Sequence, residues 1–452
     1  MRQSSAIPRT TPAQIRTAGH RGPWVNRVSR ALTFLLMTGA ATANDPVEVG
    51  IHPSPIRDLP SEEGPHLARI RRLEAGAWLP LGAPAPDPRF GGARGATWGA
   101  YALQYDPVRR GAYRAGEGRH AGVKSDGYGQ DDFWYYDIHQ HRWVCLYPGT
   151  HVGTLLEQVK RGDITVDDAG RPVTGDGEGH VPGHLLIHAW GFLAVNGDTG
   201  RFRFIAERGF DRYYMPGLQR DEQTREPSGP VHEAIALLES QGLGEGKPSL
   251  APWSYDARTG HFALPLSANR PPNVGGYPAF VYVPSAKQFL LAGAKGQAFF
   301  NPLTEKWRAV KSATRGPTGY DFGAAVDTQR NQVYVGQSAE KLHVFDVAES
   351  RWREVPPSGL YEALPLRNNE GGLYYDAGRD ALVAMSFKTR RIGLLTPQTN
   401  EWIASVAMAD EFPRKRTNAV FYDPELEVFF IYAAGNSRDD GEMWVYRTPA
   451  LP

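Results

Sequence analysis

The sequence predicts an all-β protein built from one four-stranded unit that recurs along the chain. The first observation is a recurrent phrase: an aromatic or apolar residue, a small polar residue, five further residues and then tryptophan. It occurs at 136–143, 300–307, 345–352 and 395–402, and at 255–262 with phenylalanine in place of tryptophan. The second observation is the spacing of this phrase along the chain. Its tryptophans Trp307, Trp352 and Trp402 are 45 and 50 residues apart, which is the length of one propeller blade. The third is a composition with 50 glycines, 36 prolines and 11% aromatic residues, which suits a turn-rich β-propeller.

Each repeat divides into four strands, named a to d in chain order. The tryptophan phrase fits strand c, a tight polar turn opened by Asp or Asn, and strand d, whose tryptophan packs into the core. Before it, two apolar stretches joined by a turn fit strands a and b. The turn residues Asp327, Asp376 and Asp423 are 49 and 47 residues apart, in step with the tryptophans. Short turns therefore connect a to b and c to d.

The number of phrases predicts six blades and the way in which the ring closes. Six a–b phrases are present, but the last repeat supplies only strands a, b and c, the third at 442–447. The missing strand is available at 77–81, around Trp78, and its addition would remove the open strand edges. The predicted fold is a six-bladed β-propeller of four-stranded antiparallel blades, closed by an N-terminal strand. The blades are expected at 92–148, 180–270, 272–313, 315–358, 366–408, and 414–447 with 68–82.

The N-terminal region has the pattern of an export signal. Several arginines precede a short apolar run at 31–41, and Ala41-Thr42-Ala43 fits signal-peptidase cleavage before Asn44. The run is shorter than the roughly 18 residues of a membrane span. We therefore expect a signal peptide at 1–43, an extended linker at 44–67 and a tail at 448–452. The protein would then be exported, periplasmic or extracellular, without a transmembrane segment; the alternative is a buried strand with basic flanks.

Charge and cysteine content exclude two classes of explanation. Lys plus Arg number 50 and Asp plus Glu number 49, so no global field attracts nucleic acid, and we expect no nucleic-acid partner. Cys145 is the single cysteine, which excludes an intramolecular disulfide. An exposed thiol would be a liability in an oxidising compartment, so Cys145 is expected to be buried.

The repeats resemble the kelch repeat family and the central propeller of the galactose-oxidase type. The resemblance rests on the Tyr-Asp-Pro sequences at 105–107 and 422–424 and on the tryptophan phrases. It extends over 68–447 and implies a kelch-like propeller. The paired glycines that usually end strand b in kelch repeats are replaced, for example at 293–294 and 434–435. The resemblance therefore implies the architecture, and function has to be argued from the site.

Loop length indicates which face carries function. The b–c loops and d–a connections emerge on one face, here called the long-loop face, and the a–b and c–d turns on the other, the turn face. The long segments 116–131, 149–187 and 207–251 all belong to the long-loop face, where we expect a lid or wall of loops and helices beside the channel. Within them the sequence predicts two helices and a small hairpin. The helices are expected at 154–161 and 231–241, and the hairpin at 164–166 with 171–173.

Residues that enter strand a from the long-loop face should line the mouth of the central channel. Counting back from each a–b turn gives Trp98, His188, Tyr277, Asp321, Glu370 and Arg416, with Asn369 and Asn418 beside them. Carboxylates, an arginine, amides and aromatic faces are suited to binding a sugar. The alternative is that these side chains only satisfy loop backbone groups.

Metal and cofactor chemistry is not predicted. His180, His184 and His188 are spaced by four, but Pro182-Gly183 interrupts them, so the spacing does not imply a shared helix face. They remain the only metal candidates, and no cofactor is expected. A copper-radical oxidase of the galactose-oxidase type is disfavoured because Cys145 falls in outermost strand d, away from the channel.

Three functional interpretations remain open. The first is a secreted propeller that binds a carbohydrate or protein ligand at the channel mouth without catalysis. The second resembles the periplasmic sialic acid mutarotase type, a sugar isomerase in which Glu370, Asp321 and His188 would share acid–base roles. The third is a structural interaction module of the envelope. The sequence does not predict an oligomeric state.

Overall fold

The computed structural model describes fourteen stretches of the chain. They are 54–95, 103–115, 127–128, 131–181, 192–205, 229–244, 251–270, 272–275, 278–318, 323–356, 364–366, 371–414, 417–435 and 440–450. The predicted signal peptide lies outside them. Six four-stranded antiparallel sheets and one two-stranded hairpin form the architecture, which confirms the predicted six-bladed propeller.

The strands follow the predicted a–b–c–d order in each blade. Helix α1 (Pro65–Arg71) and strand β1 (Trp78–Gly82) come first. Blade 1 contains β2 (Leu103–Asp106), β3 (Gly111–Ala115), β4 (Phe133–Asp137) and β5 (Arg142–Tyr147). Helix α2 (Val152–Arg161) and the hairpin of β6 (Ile164–Val166) and β7 (Pro172–Thr174) follow. Blade 2 contains β8 (Leu193–Val195), β9 (Phe202–Phe204), β10 (Trp253–Asp256) and β11 (His261–Ala263), with α3 (Gly229–Ser240) between β9 and β10.

The remaining four blades are more regular. Blade 3 contains β12 (Ala279–Val283), β13 (Gln288–Gly293), β14 (Gly296–Asn301) and β15 (Lys306–Val310). Blade 4 contains β16 (Gly323–Asp327), β17 (Gln332–Gly336), β18 (Leu342–Asp346) and β19 (Arg351–Val355). Blade 5 contains β20 (Gly371–Asp376), β21 (Ala381–Ser386), β22 (Arg391–Thr396) and β23 (Glu401–Ala407). Blade 6 contains β24 (Thr417–Asp423), β25 (Val428–Ala434), β26 (Glu442–Tyr446) and β1.

One turn geometry explains why the sequence phrase recurs. In most of these loops a polar residue opens the four-residue turn and its side chain accepts backbone N–H groups inside it; Asp106 accepts from Val108 at 3.0 Å and Asp327 from Gln329 at 2.9 Å, whereas Val283 opens the a–b turn of blade 3. The fourth loop residue then adopts a left-handed conformation, with φ between 50° and 57° at nine non-glycine positions. These are Arg110, His141, Lys287, Glu305, Asn331, Ser350, Asp380, Asn400 and Glu427. Blade 2 uses glycine at the two equivalent places, where φ is 66° and 79°.

The ring closes through the N-terminal strand, as predicted. Strand β1 pairs antiparallel with β26, with Trp78 opposite Tyr446 and Leu79 opposite Val445. The ring of Trp78 lies 4.7 Å from that of Tyr446 and 5.2 Å from that of Phe412, measured between centroids. Innermost strand β24 of blade 6 lies beside β2 of blade 1, which completes the circle. Closure therefore places an N-terminal and a C-terminal strand of the domain in one sheet, where β1 covers the edge of β26.

The segment expected to be an extended linker is instead packed over the part that the structure describes. Ile56 is 1% exposed, and Leu67 and Ile70 in α1 are fully buried in the core shared by blades 1, 2 and 6. The Ser54 hydroxyl lies 3.3 Å from the Tyr255 hydroxyl of blade 2. Proline at the first helical position is tolerated because its missing N–H has no helical partner there. A helix of seven residues is too short for its periodicity to be recognised in sequence, so the prediction missed it.

The inserted segments form a small module of their own. Helix α2 ends at Gly162 (φ 82°) and packs against α3, and the hairpin forms where it was predicted. The module has a separate apolar core, which includes Leu155, Val159 and Ile235. It is attached to outermost strand β11 and the residues after it: the His180 N–H donates to the Phe262 carbonyl at 2.9 Å, and Arg171 to the Leu264 carbonyl at 2.7 Å. Its described residues thus contact blade 2 at the outer edge, and the expected wall beside the channel stays a prediction.

Two further expectations concern Cys145 and the membrane. Cys145 lies in β5 and is 3% exposed, so its predicted burial is confirmed. Its backbone N–H donates to the Asp87 carboxylate at 2.9 Å, so the segment before blade 1 covers this strand. None of the helices α1 to α3 is both long enough and apolar enough to cross a bilayer.

Candidate functional site

The six innermost strands enclose a cavity on the axis of the ring. Strands β2, β8, β12, β16, β20 and β24 all contribute to its wall, and its volume is about 230 Å³. Because each strand comes from a different blade, the cavity exists only when the ring is closed. No charged side chain lines it among the described residues. The wall combines small aliphatic residues with aromatic ones and the amide of Gln104.

The aromatic residues of the channel lie mainly on strands β2, β20 and β24. Tyr105 stacks on Phe421, with ring centroids 5.9 Å apart and planes at 11°. The Tyr422 hydroxyl donates to the Asp376 carboxylate at 2.6 Å and accepts from the Gly378 N–H at 3.3 Å. Burial raises the pKa of both Tyr105 and Tyr422. These phenols therefore stay neutral at any physiological pH, and the described residues give the channel wall an uncharged surface rich in aromatic side chains.

Most residues predicted to line the channel mouth lie outside the described residues. These are Trp98, His188, Tyr277, Asp321, Asn369, Glu370 and Arg416. In sequence, Glu370 directly precedes β20 and Arg416 directly precedes β24, two of the strands that line the cavity. Asn418 is described: it lies in β24, opposite Ala433, and is 3% exposed. Their convergence on one ligand stays a prediction.

The histidine series is described only at His180, since His184 and His188 fall outside the described residues. The His180 backbone pairs with Phe262, and its Nδ1 accepts from the Leu264 N–H at 3.3 Å. Burial lowers the pKa of His180, with the Arg171 guanidinium acting in the same direction. The side chain thus helps to attach the inserted module to blade 2. Within the part of the chain that is described, no three His, Cys, Asp or Glu side chains form a metal-binding group.

Carboxylates on the turn face mostly hold the blades together. Asp106, Asp327, Asp376 and Asp423, which open a–b turns, are all fully buried. Ion pairs link neighbouring blades: Arg110 of blade 1 lies 3.3 Å from Asp423 of blade 6, and Arg379 of blade 5 lies 3.4 Å from Glu427 of blade 6. These acids have structural partners, so they are not candidates for acid–base catalysis.

A second cavity, of about 420 Å³, opens on the turn face between blades 1, 2 and 3. Four arginines line it, together with one carboxylate, that of Asp256. Sequence reasoning missed this cavity because the turns there are short and polar, a pattern typical of solvated loops. The detectable signal is the run of arginines at 201, 203 and 258 around the two hairpins of blade 2.

Comparison with known proteins adds only distant structural likenesses. No family model and no curated protein matches the chain. It is similar to a chain in a crystal structure of a nidogen/laminin complex, at 7% identity and a TM-score of 0.36 over 68% of this chain and 78% of that one. It is also similar to an auxiliary nutrient binding protein from Bacteroides thetaiotaomicron VPI-5482, at 10% identity and a TM-score of 0.43 over 81% and 76%. A protein of the same description from Bacteroides ovatus ATCC 8483 is similar at 9% identity and a TM-score of 0.43, over 82% of this chain and 76% of that one. Likenesses this distant do not indicate a function, and the architecture is assigned from the strand pairings alone.

Proposed function

We propose that the protein is an exported, kelch-like propeller that binds a small carbohydrate in its central channel and does not transform it. The observation that carries the proposal is the axial cavity of about 230 Å³, walled by all six innermost strands. Pockets for drug-sized ligands measure about 300–1,000 Å³, so this one suits a single sugar ring better than a larger molecule.

The chemistry of the wall supports a neutral polar ligand with apolar faces. Tyr105, Tyr374 and Tyr422 bring aromatic surface to the cavity, and Gln104 brings an amide that can both donate and accept. A sugar presents C–H faces to aromatic rings and hydroxyls to amides and phenols. An ionic ligand would enter this cavity without a counter-charge among the described lining residues, at a high desolvation cost.

Binding without catalysis is favoured because the described wall carries no carboxylate or imidazole, and burial keeps the phenols of Tyr105 and Tyr422 neutral. A sugar isomerase would need its acid and base within hydrogen-bond reach of the ring. At the predicted mouth, Glu370, Asp321 and His188 are the candidates for these roles. The isomerase is therefore the second candidate, and it depends on those three residues.

The proposal is tested by filling the cavity. Ala324 lies in β16 and lines the channel, so Ala324→Phe occupies space that a sugar would need. Ala309, exposed on outermost strand β15, gives the matched control Ala309→Phe. A panel of monosaccharides is screened by thermal shift, since a ligand of the native state raises Tm. We expect at least one sugar to stabilise the wild type and Ala309→Phe but not Ala324→Phe.

Three other results would overturn the proposal. If no sugar stabilises the wild type, the channel does not bind carbohydrate, and a protein ligand or a purely structural role becomes the better explanation. If a sugar stabilises Ala324→Phe as strongly as the wild type, the site lies elsewhere. If the protein increases the rate at which the anomers of a bound sugar interconvert, it is an enzyme.

A further inference from the structure

The cavity on the turn face is built from four separate turns. Arg109 comes from the a–b turn of blade 1, and 196–201 form the a–b turn of blade 2. Asp256 and Arg258 come from the c–d turn of blade 2, and Leu303 from that of blade 3. The volume of about 420 Å³ is within the range of ligand pockets. It lies on the face opposite the long loops and shares no lining residue with the channel.

Positive charge dominates the lining. Among the described residues, only one carboxylate, that of Asp256, lines the cavity. Four guanidinium groups line it as well, those of Arg109, Arg201, Arg203 and Arg258. That carboxylate is shared by two arginines: Arg258 donates to its Oδ2 at 2.9 Å, and Arg201 forms an ion pair with the same oxygen. Both arginines lower the pKa of Asp256 although burial acts against them, so this acid is always ionised. One carboxylate cannot neutralise two guanidiniums, which leaves a positive charge at the cavity.

The other two arginines are fixed by carboxylates that do not line the cavity. Arg109 lies 3.1 Å from buried Asp106, and Arg203 lies 2.7 Å from Glu305. Arg203 is only 1% exposed, and its Nε is buried without a hydrogen-bond partner among the described residues. The acid of Asp198, in the same turn, is bonded to the Tyr282 hydroxyl at 2.9 Å and does not line the cavity.

Apolar side chains stand at the edge of this charged cavity. Leu303 lines it and is 89% exposed. Val108 is 52% exposed and lies beside Gly200, where an added Cβ would be 3.1 Å from the Val108 Cβ. These are the two most exposed large apolar side chains that the described residues contain. A ligand in this cavity would therefore meet a cationic floor and an apolar rim.

We propose that this cavity is a second ligand site, which binds an organic anion in which a carboxylate or phosphate is joined to an apolar group. Arg201 and Arg258 receive the oxyanion, because planar guanidinium groups match such oxygens in paired hydrogen bonds. Arg203, which is 1% exposed and paired with Glu305, adds fixed positive charge to the cavity wall. Leu303 and Val108 contact the apolar part.

Isothermal titration in low-salt buffer tests the site with benzoate, phenyl phosphate, inorganic phosphate and neutral benzamide. The critical variant is Arg258→Gln, which should fold normally because the Arg258 side chain is 74% exposed. The matched control is Arg161→Gln, since Arg161 is also exposed and paired, with Asp163 at 2.6 Å, but lies on the inserted module. We expect benzoate or phenyl phosphate to bind the wild type and Arg161→Gln equally, and Arg258→Gln about tenfold more weakly or worse. Whichever of the two binds more tightly identifies the oxyanion.

A second variant separates the apolar rim from the charge. Leu303→Ser should weaken benzoate and phenyl phosphate several-fold and leave inorganic phosphate unchanged. Added salt should weaken all three anions, because exposed charges are screened. The proposal is overturned if neither organic anion binds, if benzamide binds as tightly as benzoate, or if Arg258→Gln binds like the wild type. These outcomes do not affect sugar binding in the channel, which is tested by Ala324→Phe.

Discussion

His141 predicts a loss of stability in mild acid. It closes the c–d turn of blade 1, where its ring lies 5.3 Å from that of His66 in α1 and its Nδ1 is 2.7 Å from the Tyr136 hydroxyl. Burial and the nearby His66 lower the pKa of His141 to about 4. The neutral ring is therefore favoured in the folded protein. Its contribution is complete above the ordinary histidine pKa of about 6.5 and is lost as the pH falls from about 6.5 towards 4.

The magnitude follows from the two pKa values. At pH 4.5 an unfolded-state histidine is protonated while His141 in the folded state is mostly neutral, which corresponds to a loss of about 2 kcal/mol relative to pH 7. His66 acts in the same direction, because burial also lowers its pKa. The test variant is His141→Asn, since asparagine tolerates the left-handed backbone at this position (φ 50°) and does not titrate. Ser350→Asn, at the equivalent left-handed position of blade 4 (φ 52°), controls for the asparagine itself.

Urea unfolding between pH 7.5 and 4.5 measures the effect. We expect the wild type and Ser350→Asn to lose stability in parallel, and His141→Asn to lose about 2 kcal/mol less over the same interval. Because the comparison uses the change in unfolding free energy with pH, the constant cost of losing the hydrogen bond to Tyr136 cancels. Parallel curves for all three proteins would show that His141 takes up its proton equally in both states, and the reasoning from burial would be wrong.

Three further predictions concern the channel mouth, the thiol and a buried ion pair. Arg416→Ala and Glu370→Gln should abolish sugar binding with Tm nearly unchanged; binding retained together with a large drop in Tm would make both residues structural. Cys145, 3% exposed, should react with a thiol reagent far more slowly in native protein than in urea, and equal rates would contradict its burial. Asp132→Ala removes the partner of Arg114, which lies 3.1 Å away and is 1% exposed, so urea unfolding should show a loss of about 3–5 kcal/mol; a loss below 1 kcal/mol would mean that the pair is solvated.

The blades could be predicted because their determinants are local and repeated. The Asp that opens a turn, the left-handed residue four positions later and the tryptophan of strand d all lie within one short phrase. Ring closure was also predictable, since a repeat without strand d requires a strand from elsewhere, and Trp78 begins the one that supplies it.

Features that depend on distant residues could not be predicted in the same way. Arg110 and Asp423 are 313 positions apart, and no pattern in the sequence connects them before the ring has closed. The arginine cavity likewise combines turns of three blades, each of which looks like an ordinary polar loop. Helix α1 was missed because two buried apolar residues, Leu67 and Ile70, are too few to establish a period.

In the proposed function, the carbohydrate binds on the axis of the ring. A crystal structure of the protein with the sugar selected by the thermal-shift panel tests it directly. We expect electron density for one sugar ring between Tyr105, Tyr374 and Tyr422, in the cavity walled by the innermost strands. Density for the sugar among the arginines of the turn face, or on the inserted module with the channel empty, would contradict it.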